Sequence, residues 1–278
     1  MTTQADKARS FHALHEASAP FVIPNPWDIG SARLLEALGF KALATTSAGY
    51  AFSLGLPDNA VGREQTMRHL AELAPSTDLP VSADLENGFG DAPEDAAEAI
   101  RQAAAAGVVG GSIEDATGRA GDPIYVHDLA VERVRAAVEA ARALPFPFTL
   151  TARAENYLVG RADLADTIRR LQAFQEAGAD VLYAPGLRTR EDIAAVVSSV
   201  DRPVNVLMGM AGMPFSVDDL AQMGVRRISV GGALACAALG AMLRAAQEML
   251  GRGTFTYTNE AASMKEITDL FAAVRKTA

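Results

Sequence analysis

The chain has a single cysteine among its 278 residues, Cys236, so an intramolecular disulfide is excluded. Cys236 falls in the apolar run Ala233–Leu243, whose spacing predicts a helix. We therefore expect a small hydrophobic residue that is buried on the inner side of that helix, rather than a catalytic thiol.

Basic side chains are also in short supply, with 25 Lys and Arg against 34 Asp and Glu and a formal net charge of −9. This deficit argues against a nucleic-acid partner, which needs a concentrated basic face. The N-terminal segment is polar and has no apolar signal core, and no apolar run reaches the length of a membrane span. These features predict a cytoplasmic protein with no membrane partner.

Histidine is scarce too, and the four residues are scattered along the chain. Only His12 and His15 are close in sequence, and we interpret them as a solvated face of an N-terminal helix. A histidine-based zinc site is therefore not expected.

Short β-branched or apolar runs are plentiful, and each is followed by a stretch with helical spacing. Alternation of strands and helices implies parallel pairing, and eight such units in this length fit a single α/β domain, a (β/α)8 TIM-type barrel over residues 1–278. An open doubly wound sheet is the alternative, but no G-x-G-x-x-G motif opens the first helix. The predicted strands are Phe21–Asn25, Ala42–Thr46, Pro80–Asp84, Gly110–Asp115, Phe148–Arg153, Val181–Pro185, Pro203–Met208 and Arg226–Gly232.

Both ends of the chain extend beyond the eight units. Residues 1–20 predict an extra helix before the first strand, and residues 233–278 predict two helices after the last strand. The linker Gly251–Thr258 is rich in Gly and Thr, so the final helix could reach away from its own barrel.

Acidic residues follow several predicted strands, at the end of a barrel where catalytic groups lie. Asp84 and Glu86 are two residues apart, so in a continuing strand both side chains would point to the same side. Together with Glu114 and Asp58 they could form an all-oxygen site that suits Mg²⁺ or Mn²⁺. The alternative for any one acid is a helix N-cap, as at Asp91 or Asp28.

Other polar residues could bind a carboxylate at the same end of the barrel. Arg153 could hold it in a bidentate fork, although a structural salt bridge with Glu155 or Glu114 is the alternative. Backbone N–H groups of the turn at residues 47–49 could add donors, since Gly permits close approach. Asn205, within the seventh strand, is a further candidate for substrate binding.

These residues, in this order, resemble the isocitrate lyase/phosphoenolpyruvate mutase superfamily, from about Phe21 to Gly240. The resemblance is carried by five motifs, which are Asn25-Pro26-Trp27-Asp28, Thr46-Ser47-Ala48-Gly49 with Ser53-Leu54-Gly55-Leu56-Pro57-Asp58, Asp84-x-Glu86-x-Gly88-Phe89-Gly90, Ser112-Ile113-Glu114-Asp115 and Arg153-x-Glu155.

The resemblance implies a barrel whose last helix is swapped with a neighbour in a dimer or tetramer. It implies Mg²⁺ (or Mn²⁺) held largely through water by acids, with Arg153 and Asp58 as catalytic residues. The implied metal ligands are Asp84, Glu86 and Glu114. The implied binding residues for a 2-oxo acid are Trp27, Ser47, Ala48, Gly49, Arg153 and Asn205.

The chain also departs from the family pattern. Isocitrate and methylisocitrate lyases have a K-x-C-G-H motif after the fourth strand, whereas residues 116–125 contain neither Cys nor Lys. The mutases and phosphonopyruvate hydrolases place a Lys in this loop, which is also missing. Glu86 stands where the family usually has Asp.

These departures make a Mg²⁺-dependent lyase for a small 2-oxo carboxylic acid the first hypothesis. It would cleave a C–C bond through a metal-stabilised enolate, in the manner of an oxaloacetate decarboxylase or a pyruvate-releasing enzyme. Two alternatives stay open, which are a phosphonopyruvate mutase or hydrolase that breaks a P–C bond, and a 2-oxo-acid binding protein with little turnover.

Overall fold

The computed structural model describes residues 2–275, so the predictions for residues 1 and 276–278 lie outside the described residues. Eight parallel strands form the central sheet, and β5 and β6 form a separate antiparallel hairpin. The strands are β1 Phe21–Ile23, β2 Leu43–Ala44, β3 Val81–Asp84, β4 Gly110–Glu114, β5 Ala116–Arg119, β6 Asp122–Ile124, β7 Thr149–Arg153, β8 Val181–Tyr183, β9 Val204–Leu207 and β10 Arg227–Ser229.

The sheet runs in the order β1-β10-β9-β8-β7-β4-β3-β2, which is sequential around a cylinder once the hairpin is set aside. The N–H of Ala44 donates to the Pro24 carbonyl at 3.1 Å, which joins the first and last strands of that order. The predicted α/β TIM-type barrel is therefore confirmed. Each predicted strand overlaps an observed one, with ends that differ by at most two or three residues.

Helices surround the sheet and follow the strands. Their bounds are α1 Gln4–Glu16, α2 Ile29–Ala37, α3 Ser47–Ser53, α4 Arg63–Leu73, α5 Pro93–Ala105, α6 His127–Arg142, α7 Leu164–Glu176, α8 Arg190–Ser198, α9 Val217–Gln222, α10 Ala233–Arg252 and α11 Met264–Arg275. Local sequence sets several starts; for example, Asp28 caps α2 by accepting the Ser31 N–H at 2.6 Å.

Alternate residues along a strand face either the helices or the barrel interior. Val81, Ile113 and Leu150 pack with helix residues in a hydrophobic cluster outside the barrel. Ser82 and Ser112 face the other way and line a cavity inside it. The interior layer is therefore polar, where barrels commonly carry bulky branched residues.

Helix α1 closes the N-terminal end of the barrel. The Phe11 ring lies so close to Gly110 that a Cβ there would be 2.7 Å from a ring carbon. Phe11 and Phe21 both make edge contacts with the ring of His15, which is buried. The expectation of a solvated His12/His15 face is wrong for His15, because the inner side of α1 is covered by the barrel.

Helix α10 differs from expectation in two ways. The whole helix is long and apolar enough in composition to cross a membrane, although it includes Arg244 and Glu248. This is contrary to the expectation that no apolar run is long enough. Those two properties alone assign no membrane partner. Cys236 is exposed rather than buried, because this side of α10 faces away from the barrel.

The C-terminal segment lies largely on the surface of the single chain. Helix α11 contacts α2, while Phe255 and Met264 are exposed on the connecting segment and the start of α11. The exchange of this segment with a neighbouring subunit stays a prediction.

Candidate active site

A cavity of about 170 Å³ opens at the C-terminal ends of the strands and extends into the barrel. Most of the residues that line it have polar side chains. Asp84, Asp58 and Arg153 lie on one side of it, and Asn205 and Arg227 lie on the other. A concave polar site at this end of a barrel is where catalysis occurs in this fold.

Arg153, the last residue of β7, joins three carboxylates. Its Nη1 donates to Asp84 Oδ1 at 2.9 Å, its Nη2 lies 3.0 Å from Glu114 Oε2, and its Nε donates to Glu155 Oε1 at 2.8 Å. Its side chain is only 14% exposed. Every nitrogen of the guanidinium is thus engaged within the protein, as the structural alternative anticipated, and the arginine fixes the positions of the acids.

The acids outnumber this one cation. Burial and the negative charges of Asp84 and Asp58 raise the pKa of Glu86 to about 8. Burial raises the pKa of Glu114 well above its usual value, although Arg153 opposes the shift. The pKa of Asp58 is raised because it is partly desolvated and lies near Asp84. Carboxylates with raised pKa values mark a region that a bound cation would stabilise.

Glu86 does not share the orientation of Asp84. Strand β3 ends at Asp84, and Glu86 has φ +49°, in the left-handed region that a non-glycine residue seldom adopts. The inference from strand alternation is therefore wrong at this position. Asp84 lines the barrel cavity, whereas Glu86 and Glu114 line an adjoining opening of about 560 Å³.

The predicted turn at residues 47–49 is the first turn of α3. Ser47 donates its N–H and its hydroxyl to Asp84 Oδ2, at 3.1 and 2.9 Å, and the Gly49 N–H donates to the capping hydroxyl of Thr46 at 3.2 Å. Two of the proposed carboxylate donors are thus already used. Ala48 lines the cavity.

Trp27 and Gly49 lie behind the cavity wall rather than in it. A Cβ at Gly49 would be 3.0 Å from the Cβ of Trp27 and 2.6 Å from Thr46 Cγ2. Close packing of α3 against the loop after β1 therefore requires glycine at this position. The structure gives these two residues a positioning role.

Asn205 lies within β9, where its side chain points into the barrel. Its amide donates to Ser229 Oγ at 2.9 Å, and its carbonyl oxygen accepts from Arg227 Nε at 3.0 Å. The Ser229 hydroxyl also hydrogen-bonds with Tyr183, whose pKa burial raises to about 12.

Sequence reasoning missed Arg227, Tyr183 and Ser229, all of which line the cavity. The signal was present in the predicted strands, because Arg227 and Ser229 alternate with Ile228 along β10. Knowing which of the two faces points inward requires the register of the neighbouring strands.

The hairpin β5–β6 covers the adjoining opening and was not predicted. Tyr125 donates its hydroxyl to Asp91 Oδ1 at 2.6 Å, and Arg119 Nη1 lies 2.8 Å from both oxygens of Asp91. The N-cap of α5 is Ala92, so Asp91 is not the cap that the sequence favoured. Asp91 instead connects the hairpin to the loop after β3.

Comparison with known proteins identifies the family. The family model described as phosphoenolpyruvate phosphomutase matches residues 11–250, and the chain belongs to the isocitrate lyase/phosphoenolpyruvate mutase superfamily. Its membership supports an enzyme of that type.

Individual relatives cover most of the chain. A putative lyase/mutase from Burkholderia cenocepacia J2315 is 63% identical, with a TM-score of 0.94 over 97% of this chain and 96% of that one. An uncharacterised protein of Mycobacterium tuberculosis is 35% identical over 86% of this chain and 88% of its own length. An oxaloacetate decarboxylase of Paraburkholderia xenovorans is 34% identical over 73% of this chain and 67% of its own length.

Proposed function

We propose that the protein is a Mg²⁺-dependent lyase that cleaves a C–C bond of a small 2-oxo carboxylic acid. The observation that carries this proposal is the surplus of carboxylates around Arg153, beside a polar cavity of a size for a small ligand. Five acids share this region with one guanidinium, and they are Asp58, Asp84, Glu86, Glu114 and Glu155.

The residues present fit a hydrated Mg²⁺. Their donors are all oxygen, as this cation prefers. Within residues 2–275 no three His, Cys, Asp or Glu side chains converge closely enough to chelate an ion directly, so water would complete the coordination. Asp84, Glu86 and Glu114 would hold the ion, and Mn²⁺ could replace it. When bound, the ion would polarise the substrate ketone and stabilise the negative charge of an enolate.

The protein's own residues prepare this arrangement. Arg153 holds Asp84 and Glu114 in fixed positions, and Ser47 holds the second oxygen of Asp84. This preorganisation removes the cost of orienting the acids at the moment of reaction. Asp58 lies at the exposed mouth of the cavity, where a carboxylate with a raised pKa could exchange a proton with the substrate.

The hairpin β5–β6 provides no thiol to protonate a departing carbanion-like product. Cys236 is on α10 and does not line the cavity. Loss of a general acid typically lowers a rate by about 10²–10⁴-fold. A β-oxo acid loses CO₂, which needs no proton, so we expect oxaloacetate-like compounds to react better than methylisocitrate. The oxaloacetate decarboxylase relative supports the same choice.

A turnover screen with Mg²⁺ tests this proposal. The compounds are oxaloacetate, methylisocitrate, 4-hydroxy-2-oxo acids and phosphonopyruvate, with products followed by coupled assays for pyruvate and phosphate. We expect cleavage of a C–C bond that EDTA abolishes and that the Asp84→Asn variant lacks. Phosphate release from phosphonopyruvate alone, or binding without turnover of any compound, would overturn the proposal.

A further inference from the structure

Arg227 is a buried cation with no carboxylate partner in the described part of the chain. Only 4% of the residue is exposed, and its one hydrogen bond within residues 2–275 runs from Nε to the amide oxygen of Asn205 at 3.0 Å. Its Nη1 is buried and has no hydrogen-bond partner. Its electrostatic neighbours include Tyr183, the positive charge of Arg153 and the buried ring of His15.

The other deeply buried arginines have more partners, although the Nε of Arg133 also has no hydrogen-bond partner among the described residues. Arg170 pairs with Asp115 at 3.0 Å and with Asp166 at 2.7 Å. Arg133 donates to the backbone carbonyls of Asn87 and Ala92 and lies over the Tyr125 ring. A buried charge without such partners is costly, and it is retained mainly where another group neutralises it.

The space next to Arg227 is the barrel cavity, not a protein core. Arg227 lines it together with Asn205, Ser229 and Tyr183, which supply neutral donors and acceptors around the guanidinium. The acids lie across the cavity on β3 and β4 and are held by Arg153. An anionic group that enters the cavity can therefore reach Arg227 without meeting a carboxylate on that side.

We propose that Arg227 binds a second carboxylate of the substrate, so that the enzyme selects dicarboxylic over monocarboxylic 2-oxo acids. This inference rests on the proposed function, which supplies the ketone and the first carboxylate of the substrate. The first carboxylate and the ketone face the acidic side, where a metal would neutralise charge. The second carboxylate lies at Arg227, where the planar guanidinium offers the unused Nη1 donor.

The same arrangement excludes other ligands. A substrate with an apolar tail would leave Nη1 unpaired and Arg227 uncompensated, and a buried donor left unsatisfied costs binding energy. A hydrogen bond between two charged groups is stronger than one between neutral groups, which corresponds here to roughly 10- to 100-fold in affinity. Selectivity of that size is therefore expected from this one residue.

Calorimetric titration with two inert analogues tests the inference, with Mg²⁺ present throughout. The analogues are 3,3-difluorooxaloacetate, which has two carboxylates, and trifluoropyruvate, which has one. Wild-type protein should bind the first roughly 10- to 100-fold more tightly. The Arg227→Met variant should lose this preference and keep its affinity for trifluoropyruvate, whereas Arg226→Met, in the neighbouring residue outside the cavity, should behave as wild type.

A second variant distinguishes a specific loss of binding from misfolding. Asn205→Asp would place a carboxylate oxygen where the amide oxygen now lies, 3.0 Å from the guanidinium of Arg227. It should neutralise Arg227 within the protein and weaken the binding of the dicarboxylate alone. Equal wild-type affinity for both analogues, or an equal loss for both in Arg227→Met, would overturn this inference and leave the proposed function standing. Failure of wild-type protein to bind either analogue would overturn both.

Discussion

Arg153 and Arg227 are two buried arginines that line the same barrel cavity, and their surroundings are opposite. In the sheet register, Arg153 is paired with Tyr183, Tyr183 with Asn205, and Asn205 with Arg227. Arg153 is surrounded by three carboxylates within 3.0 Å, whereas Arg227 has only an amide oxygen.

The difference shows in their pKa values. Burial lowers the pKa of Arg153, but the surrounding carboxylates outweigh it and raise the value well above normal. Burial lowers the pKa of Arg227 to about 10, and no carboxylate opposes it. One side of the cavity therefore has more negative charge than the protein neutralises, and the other has an unneutralised positive charge. A bound cation would neutralise the acidic side, and a bound anion would neutralise Arg227.

The largest expected effect is on stability and concerns Arg153. The Arg153→Met variant would leave Asp84, Glu114 and Glu155 buried without their cation, so we expect a loss of about 3–5 kcal/mol in the free energy of unfolding. Urea denaturation at pH 7 without metal measures it. Arg68→Met, in an exposed pair with Glu64, should change stability by less than about 1 kcal/mol. Similar small losses in the two variants would show that Arg153 does not balance the acids.

The second effect concerns the metal. Asp84→Asn keeps the size of the side chain and removes a negative charge that lies 2.9 Å from Arg153 and raises the pKa of Glu86, so Mn²⁺ affinity should fall by roughly 100-fold. Titration monitored by the Mn²⁺ spin-resonance signal measures this directly. Asp128→Asn, at an almost fully exposed position, is the matched control and should leave affinity unchanged. Unaltered Mn²⁺ binding in Asp84→Asn would remove the acidic side as a metal site.

The sequence supported the acidic side of this comparison far better than the basic side. Hydrophobic periodicity predicts where the strands end, so the sequence could place Asp84, Glu114 and Arg153 at one end of the barrel. Glu86 was assigned the wrong orientation because the strand stops two residues earlier and the backbone turns into the left-handed region. Such a turn depends on the surrounding fold rather than on local residue preference.

Arg227 could not be found in the same way. An arginine near the start of a strand is commonly a surface residue, and neighbouring Arg226 does contact the Ser18 carbonyl at the exterior. Only the three-dimensional arrangement shows that no carboxylate of the described residues reaches Arg227. The exposed Cys236 has a related cause, because apolar composition predicts a helix without specifying what covers its outer side.

A third, smaller effect sharpens the assignment of Arg227 through kinetics. With oxaloacetate as substrate, the Arg227→Met variant should raise KM roughly 10- to 100-fold, because a ground-state contact is lost. The second carboxylate of oxaloacetate is the one that leaves as CO₂, so kcat should rise as well, since arginine stabilises the carboxylate more than the neutral product. An unchanged kcat would show that Arg227 holds this carboxylate equally well in the ground state and in the transition state. A fall in kcat with constant KM would contradict a binding role.

The smallest effect is at the closed end of the barrel, where the positive charge of Arg227 acts on His15 of α1. Burial, followed by the positive charge of Arg227, lowers the pKa of His15 to about 3. The unfolded chain takes up this proton near pH 6.5 and the folded chain does not, so the contribution of His15 to stability is lost as the pH falls from 6.5 towards 3. The slope for one such group is at most about 1.4 kcal/mol per pH unit.

The His15→Gln variant should therefore flatten part of the acid limb of stability measured by urea denaturation between pH 6.5 and 4. The remaining loss of stability at acid pH should persist, because the pKa of buried His69 is also lowered, to about 4. Exposed His12 supplies the control variant His12→Gln, which should follow the wild-type curve. In the Arg227→Met protein the NMR titration of His15 should move upward by a fraction of a pH unit, because one of the causes of its low pKa has gone. A His15 that titrates near 6.5 in wild-type protein, or one indifferent to Arg227→Met, would mean that the charge of Arg227 is neutralised within the protein after all.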